Sequence, residues 1–256
     1  MTRTLFLHST GTGPFLWDSV PEEVVPSSER VTPSNLGYPP GEPTPRGQTV
    51  SVADDASHVF PQLPEGDFNL VAHSYGGLLA LHLLPALGPR VRSLCLFEPV
   101  LFGALADDDA SPADAVAQAR EFRGHEWFLT DVERGGTEPW LEVFIDYWNR
   151  PGSWKRLPEL MRHHNLQLGW KMFQEVRAVF FDARTFDAWP LPRVPVTLVK
   201  GERSPVASRA MIDALAKRNA HARVVELAGT GHMAPLTHPA KVHEALAVHL
   251  ATARES

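Results

Sequence analysis

Residues 69–80 read NLVAHSYGGLLA, and the fold of the chain can be worked out from this stretch. An apolar run leads into the sequence His-Ser-Tyr-Gly-Gly at residues 73–77, and a second apolar run follows. This order is the strand–turn–helix context of the G-x-S-x-G motif. The turn is tight and strained, so the residues near Ser74 must be small, and Ala72 and Gly76 occupy the two flanking positions. The stretch therefore predicts a buried strand, a sharp turn carrying Ser74, and a buried helix.

The serine in this turn has the surroundings of a nucleophile. Ser74 would project from the turn at the N-terminus of the following helix. The backbone N–H of Tyr75 would then point to where an oxyanion forms during attack on a carbonyl carbon. We therefore predict Ser74 as a nucleophile and Tyr75 as an oxyanion-hole residue. The alternative is a serine in an ordinary glycine-rich turn between a strand and a helix.

Short apolar runs elsewhere in the chain alternate with helical patterns. Near-continuous apolar runs are typical of parallel strands buried on both faces, and strands that alternate with helices indicate βαβ units. The sequence therefore predicts an α/β fold with a mostly parallel, doubly wound sheet. The predicted strands are residues 4–8, 69–72, 91–97 and 196–200, with a weaker one at 223–227. The predicted helices include residues 78–84, 208–218 and 242–253.

One long region interrupts this alternation. No convincing strand pattern occurs between about residue 105 and residue 189, yet five of the seven tryptophans lie within residues 127–170 of this region. Because aromatic-rich concave surfaces are typical of ligand pockets, we predict an inserted helical cap at 106–189 over a core made of 1–105 and 190–256. The alternative is a set of extra helices packed on the sheet, with the aromatic residues serving only as core. The candidates to line an apolar substrate pocket are Trp127, Tyr147, Trp148, Trp154, Trp170 and Phe173.

A histidine near the C-terminus could serve as the base. The sequence Gly-Thr-Gly-His at residues 229–232 follows the weak last strand and precedes the final helix. An imidazole has a pKa near neutrality, so it can take a proton from a serine hydroxyl and return it. A loop position would let the ring of His232 reach the turn that carries Ser74.

These motifs together resemble the α/β-hydrolase superfamily, in its branch of small cap-bearing serine hydrolases, over almost the whole chain. The resemblance implies that His232 is the catalytic histidine of a G-x-G-H loop. It also implies a second oxyanion-hole donor after the first strand, where His8-Ser9-Thr10 stands in place of the family's HG-type loop. By position that donor is the backbone N–H of Thr10, with Ser9 where glycine is usual.

The acid of the expected triad is missing from its usual place. The resemblance puts an Asp a few residues after the strand at 196–200, and Ser204 occupies that position. A serine cannot stabilise an imidazolium as a carboxylate does. The best substitute is Glu98, which ends the strand next after that of the nucleophile and preserves the chain order Ser, Glu, His. Glu202 is the second candidate, and a site without an acid is the third.

The resulting hypothesis is a serine hydrolase of carboxylic esters, lactones or thioesters that works through an acyl-enzyme. One alternative is hydrolysis of a carbon–carbon bond in diketone-like substrates, which the same triad can serve. Another is a catalytically degenerate ligand-binding protein that has kept the turn. The resemblance makes dehalogenase and epoxide hydrolase activity improbable, because those enzymes use Asp at the position of Ser74.

Composition limits the other partners. The 256 residues carry a net charge of −6 with scattered basic residues, so no electrostatic feature favours nucleic acid or an anionic membrane. The single cysteine, Cys95, excludes an internal disulfide, and no zinc-binding or nucleotide-binding motif is present. The first apolar run is too short for a signal peptide or a membrane span. We expect a cytoplasmic enzyme of a small-molecule substrate, with no cofactor or metal, and either a monomer or a homodimer.

Overall fold

A six-stranded sheet forms the centre of the protein. A computed structural model describes residues 2–255. The strands run in the order β2-β1-β3-β4-β5-β6, and every neighbouring pair is parallel. This confirms the predicted α/β class with a parallel sheet. The strands are β1 (Arg3–Leu7), β2 (Arg30–Val31), β3 (Phe68–His73), β4 (Val91–Phe97), β5 (Val196–Gly201) and β6 (Arg223–Leu227).

The sequence pattern located five of these six strands to within two residues at either end. It missed β2, which has only two residues, both of them half-buried. Such a short edge strand has no apolar run and no alternation that could distinguish it from a loop. The side chains of β3 and β4 alternate between the two faces, as a pleated strand requires. Leu70 and Leu94 belong to the core on one face, and Val71 and Cys95 belong to the core on the other.

Within residues 2–255, ten α-helices surround the sheet or lie in the segment between β4 and β5. The predicted helical stretches lie inside α2, α8 and α10, and none of the helices is both long and apolar enough to cross a membrane. The first half of the set is α1 (Val52–Val59), α2 (Tyr75–Leu87), α3 (Phe102–Ala106), α4 (Ala113–Arg123) and α5 (Glu138–Trp148). The second half is α6 (Ser153–Arg156), α7 (Glu159–Phe181), α8 (Val206–Arg218), α9 (Ala234–Thr237) and α10 (Pro239–Glu255).

Helix α1 begins at a capping box. The backbone N–H of Asp54 donates to the Ser51 hydroxyl at 3.2 Å, and the backbone N–H of Ser51 donates to the Asp54 carboxylate at 2.8 Å. This pairing satisfies two of the backbone donors that a helix N-terminus leaves free. The cap fixes the start of α1, and the next residue, Asp55, is thereby directed into the protein interior, where it is fully buried.

Helices α3 to α7 lie between β4 and β5 in the chain, and we call residues 102–181 the β4–β5 helical segment. The segment contributes a group of aromatic residues to the core on one face of the sheet. The ring of Trp140 stacks on Phe128 at 5.1 Å and on Phe144 at 5.3 Å, with both ring pairs within 9° of parallel. Phe173 of α7 meets Trp140 edge-on at 5.8 Å. Such aromatic pairs add to the apolar area that the segment buries.

Candidate active site

Ser74 stands in a strained turn between β3 and α2. Its backbone has φ 56° and ψ −121°, a conformation that residues other than glycine rarely adopt. The turn also requires glycine at position 76, because a Cβ there would lie 2.6 Å from the His8 carbonyl oxygen and 2.7 Å from that of Leu7. The absent side chain therefore lets α2 start directly against the end of β1. The turn brings Ser74 next to the loop that contains His8.

A chain of two hydrogen bonds joins Ser74, His232 and Glu98. The Nε2 atom of His232 lies 2.9 Å from the Ser74 hydroxyl oxygen, and Nδ1 lies 2.6 Å from Oε2 of Glu98. All three side chains are buried. A proton on Nδ1 that is donated to Glu98 leaves Nε2 free to accept from the Ser74 hydroxyl. The arrangement has the geometry of a nucleophile, a base and an acid that orients the base.

Glu98 owes its position to the parallel pairing of β4 and β5. Its backbone N–H donates to the carbonyl of Val199, and its carboxylate accepts the backbone N–H of Gly201 at 2.7 Å and the Ser208 hydroxyl at 2.9 Å. Burial by itself would raise the pKa of Glu98. The hydrogen bond and the charge interaction with His232, together with the Gly201 N–H, outweigh that effect and hold the pKa below its usual value.

Glu202, the second candidate for the acid, has a different contact. Its side chain is exposed, and its carboxylate accepts the backbone N–H of Gly229 at 2.6 Å. Among the contacts within residues 2–255, Glu202 has none with His232. Its hydrogen bond to Gly229 stabilises the beginning of the loop that carries His232.

A second histidine, His73, supports the backbone of His232. Its Nε2–H donates to the His232 carbonyl at 2.9 Å, and the two rings lie 4.8 Å apart. Burial lowers the pKa of His73 to about 3, so this ring is neutral near neutral pH. The contact has no direct signal in the sequence, because His73 and His232 are separated by most of the chain. The adjacency of His73 to Ser74 in the turn was the only available hint.

The two predicted oxyanion-hole residues both lie near Ser74. Tyr75 is the first residue of α2, and Thr10 borders the same pockets as Ser74. No loop or turn hydrogen bond within residues 2–255 uses the backbone N–H of either residue. Both N–H groups are therefore unpaired in the part of the chain that the structure describes.

Two pockets meet at Ser74. The first is an apolar slot of about 420 Å³, counting the space open to solvent, and we call it the aromatic slot. Its polar side chains are those of Thr10, Ser74 and Tyr147, and the Tyr147 hydroxyl donates to Gln118. The remaining lining residues are Val100, Phe102, Phe122, Phe128, Phe144, Trp148, Val176, Val179 and Phe180.

The second pocket is wider, at about 800 Å³ on the same measure, and we call it the wide pocket. It includes His232, which does not border the aromatic slot, and it shares Thr10, Ser74, Phe144 and Trp148 with that slot. The rest of its lining is a mixture of polar and apolar side chains. Its other lining residues are Ser9, Gly11, Thr12, Phe15, Ile145, Asn149, Leu157, Met161, Asn165, Met233, Leu236 and Thr237.

The family model described as the alpha/beta hydrolase family matches residues 4–245 of this chain. The chain belongs to the alpha/beta hydrolase family. Among curated proteins, no sequence matches this hydrolase.

Solved structures of the same fold include enzymes that are named for different activities. An esterase from Exiguobacterium antarcticum is 17% identical, with a TM-score of 0.72, and the match covers 98% of this hydrolase and 92% of the esterase. A haloalkane dehalogenase from Bradyrhizobium elkani is 21% identical, with a TM-score of 0.69 over 100% and 92% of the two chains. Est816, described as an N-acyl homoserine lactone degrading enzyme, is 18% identical, with a TM-score of 0.64 over 96% and 92%. At these identities the similarity shows the fold alone.

The β4–β5 helical segment of this hydrolase places only some of the predicted aromatic residues at Ser74. Tyr147 and Trp148, near the end of α5, line the aromatic slot. Sequence reasoning missed the five phenylalanines among its twelve lining residues, because a helical pattern does not tell which of two apolar faces is directed toward the site. Those residues are Phe102, Phe122, Phe128, Phe144 and Phe180.

Three of the predicted lining residues, Trp127, Trp154 and Trp170, border neither pocket that contains Ser74. Their polar N–H groups or ring faces have partners elsewhere. The indole of Trp154 is buried and donates to Glu138, and that of Trp170 donates to the Gln48 carbonyl. The ring of Trp127 lies against the Arg134 guanidinium. Phe173 also borders neither pocket, and its ring packs against Trp140.

Within residues 2–255 of this hydrolase, no cluster of three or more His, Cys, Asp or Glu side chains is arranged to hold a metal ion. The adjacent histidines of α7 have separate partners. His163 is paired with Gln167 at 3.0 Å, and the ring of His164 meets Phe15 edge-on at 6.0 Å.

Proposed function

We propose that this alpha/beta hydrolase is a serine hydrolase that cleaves carboxylic esters, lactones or thioesters through an acyl-enzyme. The observation that carries the proposal is the buried chain of hydrogen bonds from Ser74 through His232 to Glu98. An isolated serine hydroxyl is a weak nucleophile, and an adjacent base held in place by a carboxylate is the arrangement that activates it.

The proposed reaction has two stages. Nε2 of His232 removes the Ser74 proton while the serine oxygen bonds to the carbonyl carbon, and the backbone N–H groups of Thr10 and Tyr75 stabilise the oxyanion. The carbon–leaving-group bond then breaks, and His232 gives its proton to the departing oxygen or sulfur. Water repeats the sequence on the acyl-enzyme and regenerates the serine. Glu98 keeps the imidazole in the required tautomer throughout.

We assign the two halves of the proposed substrate to the two pockets. The leaving group takes its proton from Nε2 of His232, and His232 borders only the wide pocket. The leaving group therefore occupies the wide pocket, and the acyl group occupies the aromatic slot. Because no charged side chain lines the slot, a charged acyl group would lose its hydration without compensation. We infer an uncharged, apolar acyl group.

We further propose that the helical region at 106–189 is a cap that completes the acyl site. Eight of the twelve side chains around the aromatic slot belong to residues 122–180. Similarity to the Exiguobacterium esterase and to the lactone-degrading Est816 agrees with a carboxylic ester or lactone as the substrate. The dehalogenase similarity carries less weight, because Ser74 stands where such enzymes place Asp.

The test is covalent labelling followed by a substrate panel. The protein is incubated with a fluorophosphonate, and its intact mass is compared with those of Ser74→Ala and of Ser57→Ala, which changes an exposed serine of α1. We expect one adduct on the wild type and on Ser57→Ala and none on Ser74→Ala. Turnover of 4-nitrophenyl butyrate should far exceed that of the 4-nitrophenyl ester of succinate, whose acyl group is charged.

Two results would contradict the proposal. One is a wild-type protein that is neither labelled nor active on any ester, lactone or thioester, which would favour a ligand-binding role. The other is undiminished turnover by Ser74→Ala, which would place the reaction elsewhere. Preference for the charged acyl group would overturn only the assignment of the two pockets.

A further inference from the structure

A group of three charged side chains is buried beside the active site, and the proposed mechanism does not use it. Lys171 of α7 lies with its Nζ 2.6 Å from the Asp55 carboxylate of α1 and 2.8 Å from the Glu175 carboxylate. Each of the three side chains is at most 1% exposed. We call these residues the buried charge cluster.

Such a cluster is a poor means of stabilising a fold. Removing charges from water is costly, and apolar residues of similar volume often serve stability equally well. The burial of these charges is better explained if the cluster holds other groups in place. Its two carboxylates also accept hydrogen bonds from the hydroxyl groups of two tyrosines, Tyr38 and Tyr75.

The first tyrosine connects the cluster to the loop after β1. The Tyr38 hydroxyl donates to Glu175 at 2.8 Å and accepts the backbone N–H of Gly11 at 3.0 Å. Gly11 directly follows Thr10, whose N–H is a proposed oxyanion donor. A carbon atom added at Gly11 would lie 2.7 Å from the end of the Met172 side chain, so this loop is also packed tightly against α7.

The second tyrosine connects the cluster to the turn that carries the nucleophile. The Tyr75 hydroxyl donates to Asp55 at 2.5 Å, and the backbone N–H of the same residue is the other proposed oxyanion donor. The Lys171 ammonium also lies over both tyrosine rings, 5.6 Å from the centre of Tyr38 and 5.4 Å from that of Tyr75. One buried group of charges is therefore connected to both proposed oxyanion donors, directly to Tyr75 and through Tyr38 and Gly11 to the loop that carries Thr10.

We propose that the buried charge cluster and Tyr38 are positioning elements that hold the backbone N–H groups of Thr10 and Tyr75 at the separation an oxyanion needs. The inference rests on the proposed hydrolase function. A displacement of about 1 Å in a catalytic group can lower a rate on the order of 100-fold, so anchoring of this kind has a measurable effect. The cluster itself touches no substrate.

The main test variant is Tyr38→Phe, which removes one hydroxyl and keeps the ring. We expect kcat for 4-nitrophenyl butyrate to fall about 10-fold, since losing an oxyanion donor outright costs about 100-fold or more. KM should change less than about twofold, and affinity for an alkyl boronic acid, which mimics the tetrahedral intermediate, should fall with kcat.

The matched control is Thr197→Val at the opposite end of the sheet strands. Thr197 lies at the start of β5, and its buried hydroxyl pairs with His249 at 2.9 Å. The substitution also removes one hydroxyl from a buried network, so it should lower thermal stability and leave kcat unchanged. A second variant, Glu175→Gln, keeps the size of the side chain and should reproduce the loss of kcat seen for Tyr38→Phe.

The outcomes separate this inference from the proposed function. If the wild type turns over the ester while Tyr38→Phe matches Thr197→Val in kcat and boronate affinity, the cluster is only structural and the inference fails. If the wild type has no hydrolase activity and no labelled serine, the proposed function fails first. A selective loss of kcat and boronate affinity in both Tyr38→Phe and Glu175→Gln supports the positioning role.

Discussion

The indole ring of Trp148 stacks on the imidazole of His232, with ring centroids 3.7 Å apart and ring planes 24° from parallel. Trp148 ends helix α5 of the β4–β5 helical segment, while His232 lies in the loop after β6. The same indole borders both the aromatic slot and the wide pocket. The helical segment therefore contacts the candidate base directly as well as lining the space beside it.

Replacing Trp148 should leave the imidazole ring of His232 less firmly positioned. For Trp148→Ala we expect kcat/KM on a short-chain ester to fall roughly 3- to 10-fold, since an aromatic pair contributes about 0.5–1.5 kcal/mol beyond its buried area. Trp148→Phe keeps a ring and should retain most of the activity. Trp127→Ala, outside both pockets, is the control and should stay within about twofold of wild type. Equal losses in the two alanine variants would argue that general destabilisation, and not the stacking, is responsible.

Removing the charge of Glu98 should nearly abolish turnover. Glu98→Gln keeps the shape of the side chain but presents an amide to Nδ1 of His232, so the ring can adopt the wrong tautomer. Changes of this kind lower kcat on the order of 10⁴-fold. Steady-state kinetics should show this loss for Glu98→Gln and only a small effect for Glu202→Gln. The reverse order of effects would assign the acid to Glu202.

Stability should fall steeply on mild acidification. Burial, the largest cause, lowers the pKa of His8 to about 4, of His73 to about 3 and of His249 to about 4, whereas an unfolded histidine titrates near 6.5. Below pH 6.5 the unfolded chain therefore binds protons that the folded chain does not bind. The free energy of unfolding should drop as pH decreases, by up to about 4 kcal/mol per pH unit if all three contribute.

Urea unfolding between pH 5 and 7.5 measures this dependence. The variant His249→Gln removes one of the three groups. The slope of unfolding free energy against pH reflects the difference in bound protons between the unfolded and folded chains, and this difference should decrease by about one. The exposed His58→Gln variant is the control and should keep the wild-type slope. An unfolding free energy that stays constant from pH 7 to 5 would be incompatible with three neutral buried histidines.

Glycine at position 76 should be indispensable to the fold. In Gly76→Ala the added methyl group meets the backbone carbonyls of Leu7 and His8, which cannot rotate away as a side chain can. We expect a loss of at least about 2 kcal/mol of unfolding free energy, in the range of overpacked cores. Gly66→Ala is the comparison, because Gly66 has φ 70° but open space around it. Thermal melting of both variants separates the steric cost from the backbone cost, and equal melting temperatures would contradict the steric explanation.

Local patterns were sufficient for the sheet and for the turn. The apolar runs of β1, β3, β4 and β5 are visible in the sequence because a parallel strand covered on both faces must be apolar along its length. The turn is visible because its backbone tolerates only small residues around Ser74. β2 was not predicted because two half-buried residues are too few to show a periodic pattern.

The acid required reasoning beyond a single motif. Ser204 stands at the usual position of the acid, and the sequence offered Glu98 or Glu202 in its place. The distance that favours Glu98, 2.6 Å from its carboxylate to His232, depends on how far the loop at 229–232 reaches over the ends of β4 and β5. No local pattern encodes that reach.

The sequence by itself determined the α/β fold, the turn at Ser74 and the histidine loop, because each depends on residues that are neighbours along the chain. Only the tertiary structure decided which glutamate meets His232, which aromatic residues surround Ser74, and that Lys171 joins Asp55 to Glu175. The physical reason is that these contacts form between side chains on separate elements. The rotation of each helix about its axis, set by packing over the whole domain, determines which of its faces meets the site.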